Sequence, residues 1–140
     1  MNRSEFLQLM GTGTLLACAG CSLVSCSSSD DPSPGSNNNP VDFTLDLSLA
    51  PNSALTNVGG SLSTNGIIIA RLSSTDFTAV DRACTHQGTL IDFRPASSDF
   101  LCPNHGSQFS STGAVTKGPA TRALRRYNTE FNGTLLRIFS

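Results

Sequence analysis

Cys84-Thr-His-Gln-Gly88 and Cys102-Pro-Asn-His-Gly106 are the two blocks on which the reading of this chain turns. Fifteen residues, Gln87–Leu101, separate His86 from Cys102. Each block offers one thiolate and one imidazole, and the two histidines are the only ones in the protein. Both cysteines come last among the five in the chain. Four soft or borderline donors on two short loops, Cys84, His86, Cys102 and His105, point to a metal centre.

Zinc and a two-iron cluster are the alternatives. Structural zinc usually gathers its ligands as C-x₂₋₄-C followed by H-x₃₋₅-H, pairing thiolate with thiolate. Here each arm mixes the types, C-x-H and then C-x₂-H. That order suits a rhombic two-metal core in which each loop gives one ligand to each iron. The thiolates would then hold one iron and the imidazoles the other. Neutral imidazoles in place of two thiolates take negative charge off such a core and raise its reduction potential.

Outward from the blocks the pattern is one of strands. Val41, Phe43, Leu45, Leu47 and Leu49 alternate with Asp42, Thr44, Asp46 and Ser48, predicting a half-buried strand that Pro51-Asn52 ends. Gly59-Gly60 signals a turn or bulge before a short strand around Leu62. Asn65-Gly66 precedes Ile67–Leu72, a strong hairpin signal, and the near-continuous apolar run predicts a strand covered on both faces. Ser73–Asp76 turns the chain, and Phe77–Val80 leads into Cys84. Phe109–Val115 reads as a short hairpin turning at Gly113, and Leu124–Thr129 with Leu135–Phe139 as two closing strands around Asn132-Gly133. No window of helical period is long enough to assign, and no internal repeat is visible. Short strands at spacings near ten residues indicate an all-β antiparallel sandwich or barrel. The two blocks would form a small subdomain inserted between its strands.

C-T-H-Q-G, C-P-N-H-G-S-Q-F and the later Gly118-Pro119-Ala120 resemble the two ligand loops and the proline loop of the Rieske [2Fe–2S] family, over roughly Asn57 to Ser140. The resemblance implies one [2Fe–2S] cluster per chain, with the Cys84 and Cys102 thiolates inside and the His86 and His105 imidazoles facing solvent. It also implies that Ser107 donates its hydroxyl to a bridging sulfide, and that Gly118-Pro119-Ala120 covers the cluster from the far side. Phe109 stands where members of highest potential place a tyrosine hydroxyl, and Thr89 and Asn104 stand where quinol-oxidising members carry a second cysteine pair. The expected potential therefore lies between the ferredoxin-like and quinol-oxidising extremes.

The N-terminal stretch reads as an export signal. Met1–Glu5 is charged, Phe6–Val24 is mostly apolar, and Leu23-Val24-Ser25-Cys26 fits a lipobox ending on an acylated cysteine. Cys18 and Cys21 are weaker candidates for that acylation, and an uncleaved anchor is the other reading. Asn2–Gln8 resembles a twin-arginine motif with Ser4 in place of the second arginine. The polar, Pro-punctuated run to Pro40 predicts a flexible tether. The expected organisation is a signal over 1–25, a tether over 26–40 and a folded domain over 41–140, with the cluster part near 82–120. A formal charge of −1 and no long Lys/Arg tract give no reason to expect a nucleic-acid partner. Lys117, Arg122, Arg125 and Arg126 offer a docking patch for an acidic protein or simply solvated strand charge.

These features lead us to expect one-electron transfer by an exported, membrane-tethered carrier or oxidoreductase subunit rather than a complete enzyme. Its partner would be a cytochrome or oxidoreductase subunit, and its membrane contact a lipidated Cys26 or the uncleaved N-terminal segment. The alternatives are the Rieske subunit of a quinol:cytochrome c oxidoreductase, an oxygenase ferredoxin, and a zinc-stabilised binding module.

Overall fold

The computed structural model describes residues 39–140. The signal, the candidate acylation sites Cys18, Cys21 and Cys26, and nearly all of the tether lie outside the described residues. Ten strands and one short helix follow in order. They are β1 (Asp42–Asp46), a 3-10 helix (Ala50–Thr56), β2 (Ser61–Thr64), β3 (Ile67–Arg71), β4 (Phe77–Asp81), β5 (Asp92–Arg94), β6 (Asp99–Leu101), β7 (Gln108–Ser110), β8 (Val115–Lys117), β9 (Arg126–Phe131) and β10 (Leu135–Phe139). All ladders are antiparallel. A six-stranded sheet runs β1-β10-β9-β4-β3-β2, and a four-stranded sheet runs β5-β6-β7-β8.

The expected insertion is present. β4 and β9 are neighbours in the large sheet, pairing Ala79 with Tyr127 and Val80 with Arg126, although residues 82–125 separate them in sequence. Everything in the small sheet and both Cys/His blocks falls within that insertion. β3 explains how the two parts share their apolar support. Its alternate side chains Ile67 and Ile69 enter a core with Leu55, Phe77, Tyr127, Leu136 and Ile138. Ile68 and Ala70 enter a second core with Val80, Ile91, Phe100, Phe109, Leu124 and both block cysteines. A strand buried on both faces has no polar positions to alternate with, which is why it reads as an apolar run.

The first strand is shorter than its alternation suggests. β1 stops at Asp46, whose carboxylate accepts from the Ser48 amide (2.9 Å) and hydroxyl (2.6 Å) and so closes a turn. Leu47 keeps the buried phase of the pattern, but Leu49 is exposed. Pro51 then opens the 3-10 helix rather than merely ending a strand, and that helix buries only Leu55. One buried residue leaves no 3.6-residue stripe to find. β9 likewise begins at Arg126 rather than Leu124, because the Leu124 amide is taken by the Gly113 carbonyl (2.9 Å) across the insertion.

Candidate metal centre

The two Cys/His blocks fold into loops with one backbone frame. In the first, the Cys84 amide donates to the Thr89 carbonyl (2.8 Å) and the Gly88 amide to the Cys84 carbonyl (2.8 Å). In the second, Cys102 donates to Ser107 (2.8 Å) and Gly106 to Cys102 (3.0 Å). Each frame closes over a glycine at the fifth position with φ of +75° and +76°, a conformation that other residues adopt only under strain. This six-residue frame is a local repeat that the sequence conceals, because the histidine sits third in one loop and fourth in the other.

The frames sort the four donors by environment. Cys84 and Cys102 are 3% and 1% exposed, and both are free thiols inside the apolar core of the insertion. Burial pushes the Cys84 thiol up, while the His86 and Gln87 amides aimed at it pull the other way. His86 and His105 are exposed, with ring centroids 4.9 Å apart and planes at 83°. Among the described residues, no three Cys, His, Asp or Glu side chains gather as a single ion would require. The donors form a thiol pair inside and an imidazole pair outside.

Three side-chain hydrogen bonds tie these loops to each other and to the chain after β8. Asn104 Nδ2 donates to Thr89 Oγ1 (3.2 Å), joining loop to loop. Thr85 Oγ1 donates to the Arg122 carbonyl (2.6 Å), and the Ala120 amide donates to Ser107 Oγ (3.0 Å). Gly118-Pro119-Ala120 is thereby held against the second loop, with Ala120 buried and the Gly118–Pro119 peptide cis. Ser107 is fully buried, and since its oxygen is the acceptor, its own proton is left for another acceptor. Phe109 is fully buried in the core of the insertion and offers no hydroxyl.

Sequence reading singled out Cys84, His86, Cys102, His105 and Ser107 as candidates, and the structure brings their loops together. It missed Thr85 and the pairing of Thr89 with Asn104. The available signal was the hydroxyl residue five places after each cysteine, Thr89 and Ser107. Lys117, Arg122 and Arg126 are exposed, and Arg125 stacks its guanidinium 5.0 Å over the Tyr127 ring.

The sequence profile of the Rieske [2Fe-2S] domain matches residues 42–128, well over half of the chain. The chain belongs to the Rieske family. A Rieske domain carries one [2Fe–2S] cluster, and two buried thiols beside two exposed imidazoles are a donor set that could hold it. Among curated relatives, the cytochrome b6-f complex iron-sulfur subunit 1 of Nostoc sp. strain PCC 7120 is 36% identical over 58 residues, 41% of this chain and 32% of that protein. The chloroplastic cytochrome b6-f iron-sulfur subunit of Pisum sativum is 44% identical over 46 residues, 33% of this chain and 20% of that protein. The match thus spans about a third or less of these relatives. The plasma membrane Rieske protein of Synechocystis PCC 6803 is similar in structure, with TM-score 0.50 and 33% identity over 56% of this chain and 83% of that one. The ferredoxin of carbazole 1,9a-dioxygenase from Nocardioides aromaticivorans IC177 shares the fold, with TM-score 0.54 and 23% identity over 71% of this chain and 95% of that one. The Rieske domain is an electron carrier.

Proposed function

We propose that Cys84 and Cys102 bind one iron of the [2Fe–2S] cluster and His86 and His105 the other. The chain would act as a one-electron carrier, or carrier subunit, exported and tethered to a membrane. The observation that carries the site is the division of the donors by burial: thiols at 3% and 1% exposure, imidazoles exposed and 4.9 Å apart. The group they hold supplies the gain and loss of one electron. The thiols keep the more negative side away from water, and the imidazoles sit where a redox protein such as a cytochrome or oxidoreductase subunit can approach. Ser107 directs its remaining proton toward the group and so favours the more negative reduced state. Relatives named as iron-sulfur subunits of cytochrome b6-f complexes, and a plasma membrane Rieske protein, support electron transfer beside a membrane. The lipobox ending at Cys26 and the polar run 26–40 supply the tether in this reading.

The reduced protein should show a Rieske-type EPR signal, absent from Cys84→Ser and from His105→Ala; an unchanged spectrum in either variant would overturn the ligand assignment. Ser107→Ala should lower the midpoint potential by roughly 40–60 mV, the one-electron equivalent of about 1 kcal/mol. An EPR-monitored titration with no shift removes the hydroxyl's role. Palmitate labelling that survives Cys26→Ala would move the anchor elsewhere.

A further inference from the structure

Each Cys/His loop is closed on itself by two backbone bonds, so each behaves as a stiff unit. Among the described residues no backbone hydrogen bond joins one loop to the other. Their spacing is therefore left to packing, to side chains that cross between them and, in the loaded protein, to the group that ligands from both loops would hold. The hydrogen bond that crosses is Asn104 Nδ2 to Thr89 Oγ1 at 3.2 Å, beside the edge contact of the His86 and His105 rings. Asn104 immediately precedes His105, and Thr89 closes the frame that holds His86. The other two bonds, Thr85 to Arg122 and Ala120 to Ser107, tie each loop separately to the segment after β8. With the loop-to-loop bond in place the three segments are joined pairwise in a ring. Without it the ring opens on the exposed side, where both imidazoles lie.

We propose that Asn104 is a positioning residue: through Thr89 it sets the spacing of the two loops and with it the mutual orientation of the His86 and His105 imidazoles. The inference rests on these four side chains being the ligands. Asn104 touches no donor atom in this scheme; it acts by holding the loop that presents His105. Its neutral amide does this without adding charge beside the donors, so removing it alters geometry rather than electrostatics.

The test is a double-mutant cycle on the full chain with Asn104→Ala, Thr89→Val and the pair together. Iron release to a chelator should be about three- to tenfold faster in each single variant, the worth of one net hydrogen bond. The double variant should be no faster than the faster single one. The histidine-nitrogen hyperfine couplings of the reduced protein, read by ENDOR, should shift alike in all three, which general destabilisation would not produce. Additive release rates, or couplings identical to those of the unmutated protein, would overturn the proposal. If the unmutated protein carries no iron–sulfur cluster, the ligand assignment fails instead. The Asn104–Thr89 bond is then read in metal-free protein by amide exchange at Gly88 and Gly106. Faster exchange in the variants supports it, and unchanged exchange sinks it.

Discussion

Tyr127 is the residue whose chemistry most depends on where the fold puts it. It is 5% exposed, and its hydroxyl donates to Asp81 Oδ1 at 2.5 Å. Burial, and then the Asp81 carboxylate that accepts this bond, push its pKa from 10.0 up to about 12. The native state thus holds the phenol proton more tightly than the unfolded chain does. The stability this contributes is complete below the ordinary value of 10.0 and is lost as pH rises through about 12. Chemical denaturation across that window should show a falling midpoint, and Tyr127→Phe should flatten the fall at a cost of about 1 kcal/mol at neutral pH. A native profile that stays level above pH 10.0 contradicts the assignment. Nothing in the sequence around Tyr127 pairs it with Asp81, because the pairing follows from β4 lying beside β9. Ser107 is the opposite case: its place after His105-Gly106 marked it, and only its acceptor role toward Ala120 needed the structure.

Among the elements, the hairpin β2–β3 and the helix before it separate what turn chemistry announces from what packing imposes. Asn65 and Gly66 have φ of 52° and 74°, as the Asn-Gly signal requires. A Cβ at Gly66 meets nothing within 4 Å, so Gly66→Ala should cost only the strain of its φ, about 1 kcal/mol. Gly60 looks no different in sequence, yet a Cβ there would stand 1.7 Å from the Ala54 carbonyl oxygen of the 3-10 helix. That contact is backbone and cannot rotate away, so Gly60→Ala should cost several times more, on the order of 3 kcal/mol or above. Thermal melts of the two variants would compare them directly, and equal losses would mean that the helix shifts to make room. Arg71 helps hold that helix in place by donating to the Leu55 and Thr56 carbonyls (3.1 and 2.9 Å) while lying over the Phe77 and Phe131 rings. Hairpins were legible because their turns carry their own residues. The 3-10 helix was not, since its only apolar anchor is Leu55.

For the molecule as a whole, the two cores respond differently to the group the loops would hold. Both block cysteines belong to the core of the insertion, whereas the core under the large sheet contains neither. Removing iron should therefore lower the melting temperature, because a group that binds only the folded state contributes to its stability. Amides of β3 and β10 should keep their protection from hydrogen exchange in iron-free protein, while those of residues 84–89 and 102–107 exchange faster but stay measurably protected. Uniform loss across both parts would show one cooperative unit instead. The donor set, the alternating strands and the Asn-Gly turn were readable in order along the chain, because a ligand's identity and a two-residue period are local properties. The Thr89–Asn104 bond and the Tyr127–Asp81 pair were decided only by the tertiary structure. Each joins residues that chain order keeps apart, and hydrogen bonds of this kind depend on distances that no local preference encodes.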